Sequence, residues 1–166
     1  MNRRGNTHRI VIGRAESISY VQHAIPDVPA KIDTGAYHSA VHASEVKLSS
    51  NGKSLSFVLL GGHPVCGELS ISLTTDKFRQ VTVANSFGAQ ELRYEVRLRI
   101  KLGPKIFTSP FTLADRSKKL YPILVGRELL NKRFVVDSSI TNINKKALKQ
   151  KYNVTFPVDD EGEERG

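Results

Sequence analysis

Pro29-Ala30-Lys31-Ile32-Asp33-Thr34-Gly35-Ala36 is the stretch on which the fold turns. A short apolar approach ends in an acid, followed by a hydroxyl residue, a glycine and an alanine. Far downstream, Tyr121-Pro122-Ile123-Leu124-Val125-Gly126-Arg127-Glu128-Leu129-Leu130 places an apolar triplet ahead of Gly-Arg. The two runs read as halves of one template, an acid-bearing turn and a glycine that packs beneath it. One such half-site is present. A working pair of carboxylates at this position therefore needs two copies of the chain.

The chain has 166 residues, enough for one domain with a real core and too few for two comfortable ones. Hydrophobic content of 39% and charged content of 25% suit a soluble globular protein. No apolar stretch approaches the ~20 residues that span a bilayer. The basic start, Met1-Asn2-Arg3-Arg4-Gly5, is not followed by the apolar run of a signal peptide. The lone Cys66 has no partner for an internal disulfide. These features predict a cytoplasmic protein with no membrane partner.

The formal charge of +9 conceals a split. Residues 159–165 hold five acids and one base, or −4, so residues 1–158 carry +13. A body that basic attracts anions, either nucleic acid or an acidic polypeptide. Aromatic content is only 7% and no nucleic-acid-binding motif is present, so nucleic acid ranks last among the partners.

Short Val/Ile-rich runs separated by Gly, Pro, Asn and Ser predict an all-β domain. Ile10-Val11-Ile12 reads as a strand. Pro26 and Pro29 are expected to bracket a loop. His38 to Ala43 is expected to be the next strand. Val46-Lys47-Leu48 and residues 55–60 flank Ser50-Asn51-Gly52-Lys53, a hairpin signal. Leu69 to Leu73 alternates, which predicts one buried face. Tyr94 to Leu102 alternates five apolar with four charged residues, putting Tyr94, Val96, Leu98, Ile100 and Leu102 on the core side. Arg93, Arg97, Arg99 and Lys101 are then expected to form a basic solvent stripe. Gly103-Pro104 turns the chain into an antiparallel return over 106–113. A short helix is expected over 127–131, a strand at Phe134-Val135-Val136 and a basic helix within 143–152. The domain is expected to end near residue 140. Residues 141–166 then form a basic segment and an acidic, disordered tail.

Hydrolysis of a peptide bond needs a base for the attacking water and an acid for the leaving nitrogen. Two carboxylates side by side serve both roles, because they cannot both ionise easily and so share a proton. A two-fold dimer brings the same acid from each chain to its axis. Asp33 is the candidate. Thr34 offers a hydroxyl that can hydrogen-bond across the axis, and Gly35 lets backbone approach the carboxylate. Ala36 lacks the hydroxyl that would stabilise the charged form, so the site is expected to work near neutral pH. Asp-Thr-Gly alone also fits an ordinary turn. Val135-Val136-Asp137-Ser138-Ser139 and Thr75-Asp76-Lys77 lack the full pattern and do not supply a second acid.

Lys31-Ile32-Asp33-Thr34-Gly35-Ala36, followed by Ser39-Ala40-Val41-His42-Ala43, resembles the RimB-type retropepsin-like proteins, whose usual pattern is Lys-Ile-Asp-Thr-Gly-Ala-x-x-Ser-Ala-Leu-His-Ala. Asn85-Ser86-Phe87-Gly88, the following Glu91-Leu92-Arg93-Tyr94-Glu95-Val96, the run 124–130 and Phe134-Val135-Val136-Asp137 match later family features in the same order. The likeness covers roughly residues 9–140. It implies a retropepsin-like closed β-barrel and a homodimeric aspartic endopeptidase acting on a peptide or protein. It places Asp33, Thr34 and Gly35 in the catalytic turn, with Ala36, Ser39, Gly126 and Arg127 as its support. Arg127 is expected to brace the turn or the dimer. It also implies a flap, with Asn85, Ser86, Phe87 and Gly88 as first candidate and Gly61-Gly62-His63-Pro64 as second. Tyr37 and His38 replace the usual Arg-Thr, and Phe87 replaces an Asn, which bears on substrate preference. Family members often accompany glutamate ligases, so an acidic or polyglutamylated substrate fits both the resemblance and the basic body. The acidic tail then becomes a candidate pseudosubstrate. The same fold used as a non-enzymatic module for acidic peptides is the alternative.

Many such proteins carry the label of ATP-dependent zinc proteases. His38, His42, His63 and Cys66 are the candidate ligands, but no HExxH or paired CxxC is present, and ordinary polar or core positions describe them better. A zinc-dependent peptidase is the lesser alternative. No Walker loop supports ATP binding. No cofactor and no metal ligand is assigned.

Overall fold

The computed structural model describes residues 8–85 and 87–155. Eleven strands and two short helices follow one another along them. They are β1 (Ile10–Ile12), β2 (Ala15–Tyr20), β3 (Ile25–Ile32), β4 (Ala40–Leu48), β5 (Leu55–Leu59), β6 (Ile71–Thr75), β7 (Arg79–Ala84), β8 (Gln90–Leu102), β9 (Lys105–Ala114), β10 (Ile123–Val125), α1 (Arg127–Leu130), β11 (Phe134–Val136) and α2 (Lys145–Lys151). The all-β expectation holds. Strands β10-β3-β2-β8-β9-β4 are hydrogen-bonded in that order, and β10 also pairs with β4, so the path closes into a ring. Closure leaves these strands few free edges, which otherwise invite pairing with other chains.

The long alternating strand anchors the ring. Val96, Leu98, Ile100 and Leu102 of β8 point inward and are buried, as the period-2 pattern predicts. Their interior partners include Ile18 and Tyr20 of β2, Phe111 of β9 and Ile123 of β10. The Gly103 turn returns the chain into β9, which pairs with β8 from Leu102↔Lys105 to Glu95↔Thr112.

Several elements differ from the sequence reading. Residues 25–32 form one strand rather than a loop ahead of Ala30. Pro26 and Pro29 are tolerated there because β10 pairs with β3 only from Ala30 onward, leaving the proline stretch open on that side. The expected strand at His38 begins at Ala40 instead and continues to Leu48, absorbing Val46-Lys47-Leu48. A register shift between Ser44 and Lys47, with Glu45 at φ 52°, bends β4 out of the ring and into its hairpin with β5. The strand expected over 69–73 lies at Ile71–Thr75. Its inward residues are only half-buried, because β6 is the outermost strand of the sheet. β2 and β7 carried no strong sequence signal. The helix at Arg127–Leu130 and the basic helix at Lys145–Lys151 fall where expected, the second capped by Asn144 Oδ1 on the Ala147 amide. Beyond residue 140 the chain still touches the body: Asn142 donates its amide to Ala15 and its Nδ2 to Glu16. The acidic tail lies outside the described residues. No helix among the described residues is long and apolar enough to cross a membrane.

Candidate active site

β3 ends at Ile32, and the next residue is Asp33. Its amide donates to the Val125 carbonyl at 2.9 Å, extending the parallel β3–β10 ladder by one rung. The ladder thus fixes where the carboxylate leaves the sheet. Asp33 Oδ1 then accepts from the Gly35 amide at 2.9 Å, and the Asp33 carbonyl accepts from Ala36. A Cβ on Gly35 would lie 3.2 Å from that same Oδ1, so glycine keeps the carboxylate uncrowded. Asp33 is half-buried, while Thr34 and Gly35 are exposed.

The support residues meet directly below. Ser39 is buried; its Oγ accepts from the Gly126 amide at 3.0 Å, and its carbonyl accepts from both the amide and Oγ1 of Thr112. Gly126 leads into α1, whose first amides bind back to the acid-bearing turn: Arg127 N to Ala36 O at 2.8 Å and Glu128 N to Tyr37 O at 3.0 Å. Arg127 Nη1 donates to the Thr34 carbonyl at 3.1 Å. A Cβ on Gly126 would fall 2.5 Å from the His38 carbonyl oxygen and 2.6 Å from that of Tyr37, so no other residue fits without moving the turn. Sequence spacing of about ninety positions separates these partners; the β3–β10 pairing brings them together.

Asn85 and Gly88 occupy the tip of the β7–β8 hairpin. Asn85 Oδ1 accepts from the amides of Phe87 and Ala89, and Gly88 sits at φ 78°, the left-handed turn conformation that favours glycine. Phe87 is 94% exposed, a large apolar side chain with nothing to cover it. Ser86 lies outside the described residues. The second flap candidate is not a free loop. His63 and Gly61 are buried, and a Cβ at Gly61 would strike Ser44 Oγ at 2.5 Å.

The four residues weighed as metal ligands, His38, His42, His63 and Cys66, do not form one site. His42 Nδ1 accepts the Arg116 amide and its Nε2 donates to Gly61 O; His63 Nδ1 accepts the Val65 amide and its Nε2 donates to the carbonyls of Arg116 and Lys119. Both rings are spent on backbone groups in the Nε2–H form, packed edge-on at 5.1 Å. Burial pushes the Cys66 thiol up to about 12, which leaves it an inert core residue. His38 lies elsewhere, in the turn after Asp33. Its Nδ1 is 3.6 Å from Glu95 Oε2 and 3.9 Å from Glu128 Oε2. Glu95 and Glu128 were not singled out in the sequence. Glu95 sits at an outward position of β8 in the same alternation as Arg97 and Arg99, yet it is 4% exposed. The register that places Arg79 opposite Glu95, with Nε to Oε1 at 2.6 Å, becomes visible only once β7 is recognised as a strand.

The family model described as "RimB-like: Retropepsin-like aspartic endopeptidase RimB" matches residues 11–147. Among curated proteins, a probable alpha-L-glutamate ligase of Parasynechococcus marenigrum (strain WH8102) is 29% identical over 135 residues, covering 79% of this chain and 28% of that protein. One from Desulfotalea psychrophila (strain LSv54 / DSM 12343) is 26% identical over 133 residues, covering 78% and 28%. The chain thus spans little more than a quarter of these relatives' length. Among solved structures, a crystal structure of a Legionella pneumophila protein described as of unknown function (DUF785) superposes with a TM-score of 0.62 at 26% identity, covering 81% of this chain and 97% of that one.

Two outcomes follow from the packing. Gly126→Ala is expected to lose roughly 1–3 kcal/mol of stability, read as a lower urea midpoint with unchanged slope, because the methyl group must displace the turn. The second concerns acid. Desolvation first, then the neighbouring His42, lowers His63 from 6.5 to about 4. A base held neutral in the fold takes up its proton more readily when unfolded. Its contribution is therefore complete above about pH 6.5 and is lost as pH falls toward about 4, by roughly 3 kcal/mol over that window. Urea midpoints measured from pH 7 to 4.5 should fall more steeply for the wild type than for His63→Gln; equal slopes would contradict the assignment.

Proposed function

The chain belongs to the RimB-like family of retropepsin-like aspartic endopeptidases, and from that premise we propose that Asp33 is its catalytic acid, paired with Asp33 of a second copy at a homodimer axis. The observation that carries this reading is the Asp33 turn itself. Its carboxylate leaves the end of β3, braced from Gly126, Ser39 and Arg127, beside an exposed Thr34 and Gly35. A single acid cannot be both base and acid toward the same water and leaving group at once. A second copy supplies the other carboxylate, and the proton they share splits their titration.

In this reading, the ionised member of the pair takes a proton from the attacking water, and the protonated member polarises the scissile carbonyl. The leaving nitrogen then collects the proton. Gly35 N and the β3–β10 rung hold the carboxylate in place. The β7–β8 hairpin closes over the substrate, with Phe87 excluding water. Two features support a dimer. Val11 and Val135 lie side by side in the small parallel β1–β11 sheet and are 58% and 45% exposed. A concavity of about 580 Å³, lined by Thr34, Tyr37, Arg127 and Phe134 among others, lies beside the exposed turn. Both features suit a face that a second copy covers.

The substrate we infer is an acidic peptide, in particular one extended by glutamate. The basic body and the outward Arg97, Arg99 and Lys101 on β8 favour it electrostatically. The relatives named as glutamate ligases carry a matching segment in the same polypeptide as the ligase. The test is cleavage of a peptide pool containing glutamate-tailed members near neutral pH, read by mass spectrometry. Asp33→Asn keeps an oxygen to accept from Gly35 N, so the fold should survive while turnover falls by about 100-fold or more. Equal turnover in the variant would remove Asp33 from the chemistry. Tight binding of the tailed peptides with no cleavage in either protein would favour a binding module instead.

A further inference from the structure

We propose that His38, Glu95 and Glu128 form a binding site for a divalent cation of zinc type, joining the base of the β7–β8 hairpin to the turn that carries Asp33. Their ligand atoms (one imidazole nitrogen and two carboxylate oxygens) all lie within 4.8 Å of one another. They come from three separate elements: the turn before β4, the strand β8 and the helix α1.

Several observations point to an ion rather than to simple packing. His38 Nδ1 is buried and has no hydrogen-bond partner. The carboxylates of Glu95 and Glu128, at 3.6 and 3.9 Å, are beyond N–H···O range. Such separations instead approach those of two ligands on a common metal, which bonds of about 2.0–2.2 Å at tetrahedral angles place about 3.3–3.6 Å apart. An outer partner for one of the carboxylates is already in place. Arg79 Nε holds Glu95 Oε1 at 2.6 Å, which turns Oε2 toward His38, as an outer partner orients a ligating carboxylate. The side chains of His38 and Glu128 are 22% and 27% exposed, so an ion can enter and water can complete its shell. Glu95 and Glu128 bring two carboxylates to the cluster, and the Arg79 guanidinium is bonded to Glu95 alone of the two, which favours a cation beside them. One nitrogen and two oxygens with an open position suit Zn²⁺, and Mn²⁺ or Co²⁺ after it. They are too few for a calcium cage.

The site needs no catalytic role for Asp33. An ion there would pin the hairpin, Asp33 turn and α1 to one another, setting how firmly the β7–β8 hairpin is held at its base.

The experiment is calorimetric titration of ZnCl₂ into the full untagged chain freed of metal by chelation, with Co²⁺ absorption in the visible as a second readout. Wild type should bind one equivalent, show a ligand-field band and melt at a higher temperature with Zn²⁺ than with chelator. His38→Gln and Glu128→Gln should each bind more than about tenfold more weakly and lose the melting shift, while His23→Gln, at a histidine outside the cluster, should match wild type. Glu128→Gln is isosteric at a half-exposed helical position, so it carries the test even if His38→Gln fails to fold. Absence of saturable binding to the wild type, or equal affinity in wild type and Glu128→Gln, would overturn the proposal. None of these readouts depends on proteolysis.

Discussion

The structure depends on one close approach. Gly126 lies so near the carbonyl oxygens of Tyr37 and His38 that a methyl group has no room, and this lets the amides of residues 126–128 bind the turn from Ala36 to Ser39. The parallel pairing of β10 with β3 sets that approach, because it aligns Ile123, Leu124 and Val125 with Ala30, Lys31 and Ile32. Asp33 and Gly126 are each the next residue after a paired strand end. The position of the carboxylate is therefore a consequence of sheet register. It is held by backbone hydrogen bonds from both sides, which restricts its motion more than a side-chain contact alone would.

The rest of the ring serves this arrangement. β8, β9 and β4 add apolar side chains to an interior that β2, β3 and β10 also line, and β4 pairs with β10 as well as with β9, closing the ring. The His42–His63 pair shows how polar residues enter such a core at small cost: all four ring nitrogens have backbone partners. His38 is different: a buried nitrogen there faces two carboxylates without a hydrogen bond to either.

Much of this was legible in the sequence because its signals are local. Residues 94–102 alternate, Asn51-Gly52 marks a hairpin, and the Asp33 and Gly126 runs each have a distinctive composition. What the sequence hid was relational. Pro26 and Pro29 looked like strand breakers, and only the absence of a neighbour on one side makes them acceptable in β3. His38 looked like a strand residue because Val41 and Ala43 follow it, whereas the turn needs residues 33–39 to reach Gly126. Glu95 matched its charged neighbours by parity. Its burial depends on the Arg79 hairpin, the His38 turn and α1, which lie 16, 57 and 33 positions away. No local pattern encodes such a meeting. Ser39, Gly126 and Arg127 are picked out in the sequence by family resemblance, while their hydrogen bonds to one another and to the Asp33 turn emerge only from the fold.

The proposal that two copies each bring one braced Asp33 carboxylate to a shared site is the central claim. It is tested most directly by mixing wild-type and Asp33→Asn chains in varied ratio at fixed total concentration, allowing exchange and measuring peptidase rate. If each working site needs an ionisable Asp33 from both copies, activity falls as the square of the wild-type fraction. A fall linear in that fraction would mean that each chain works alone and would contradict the account.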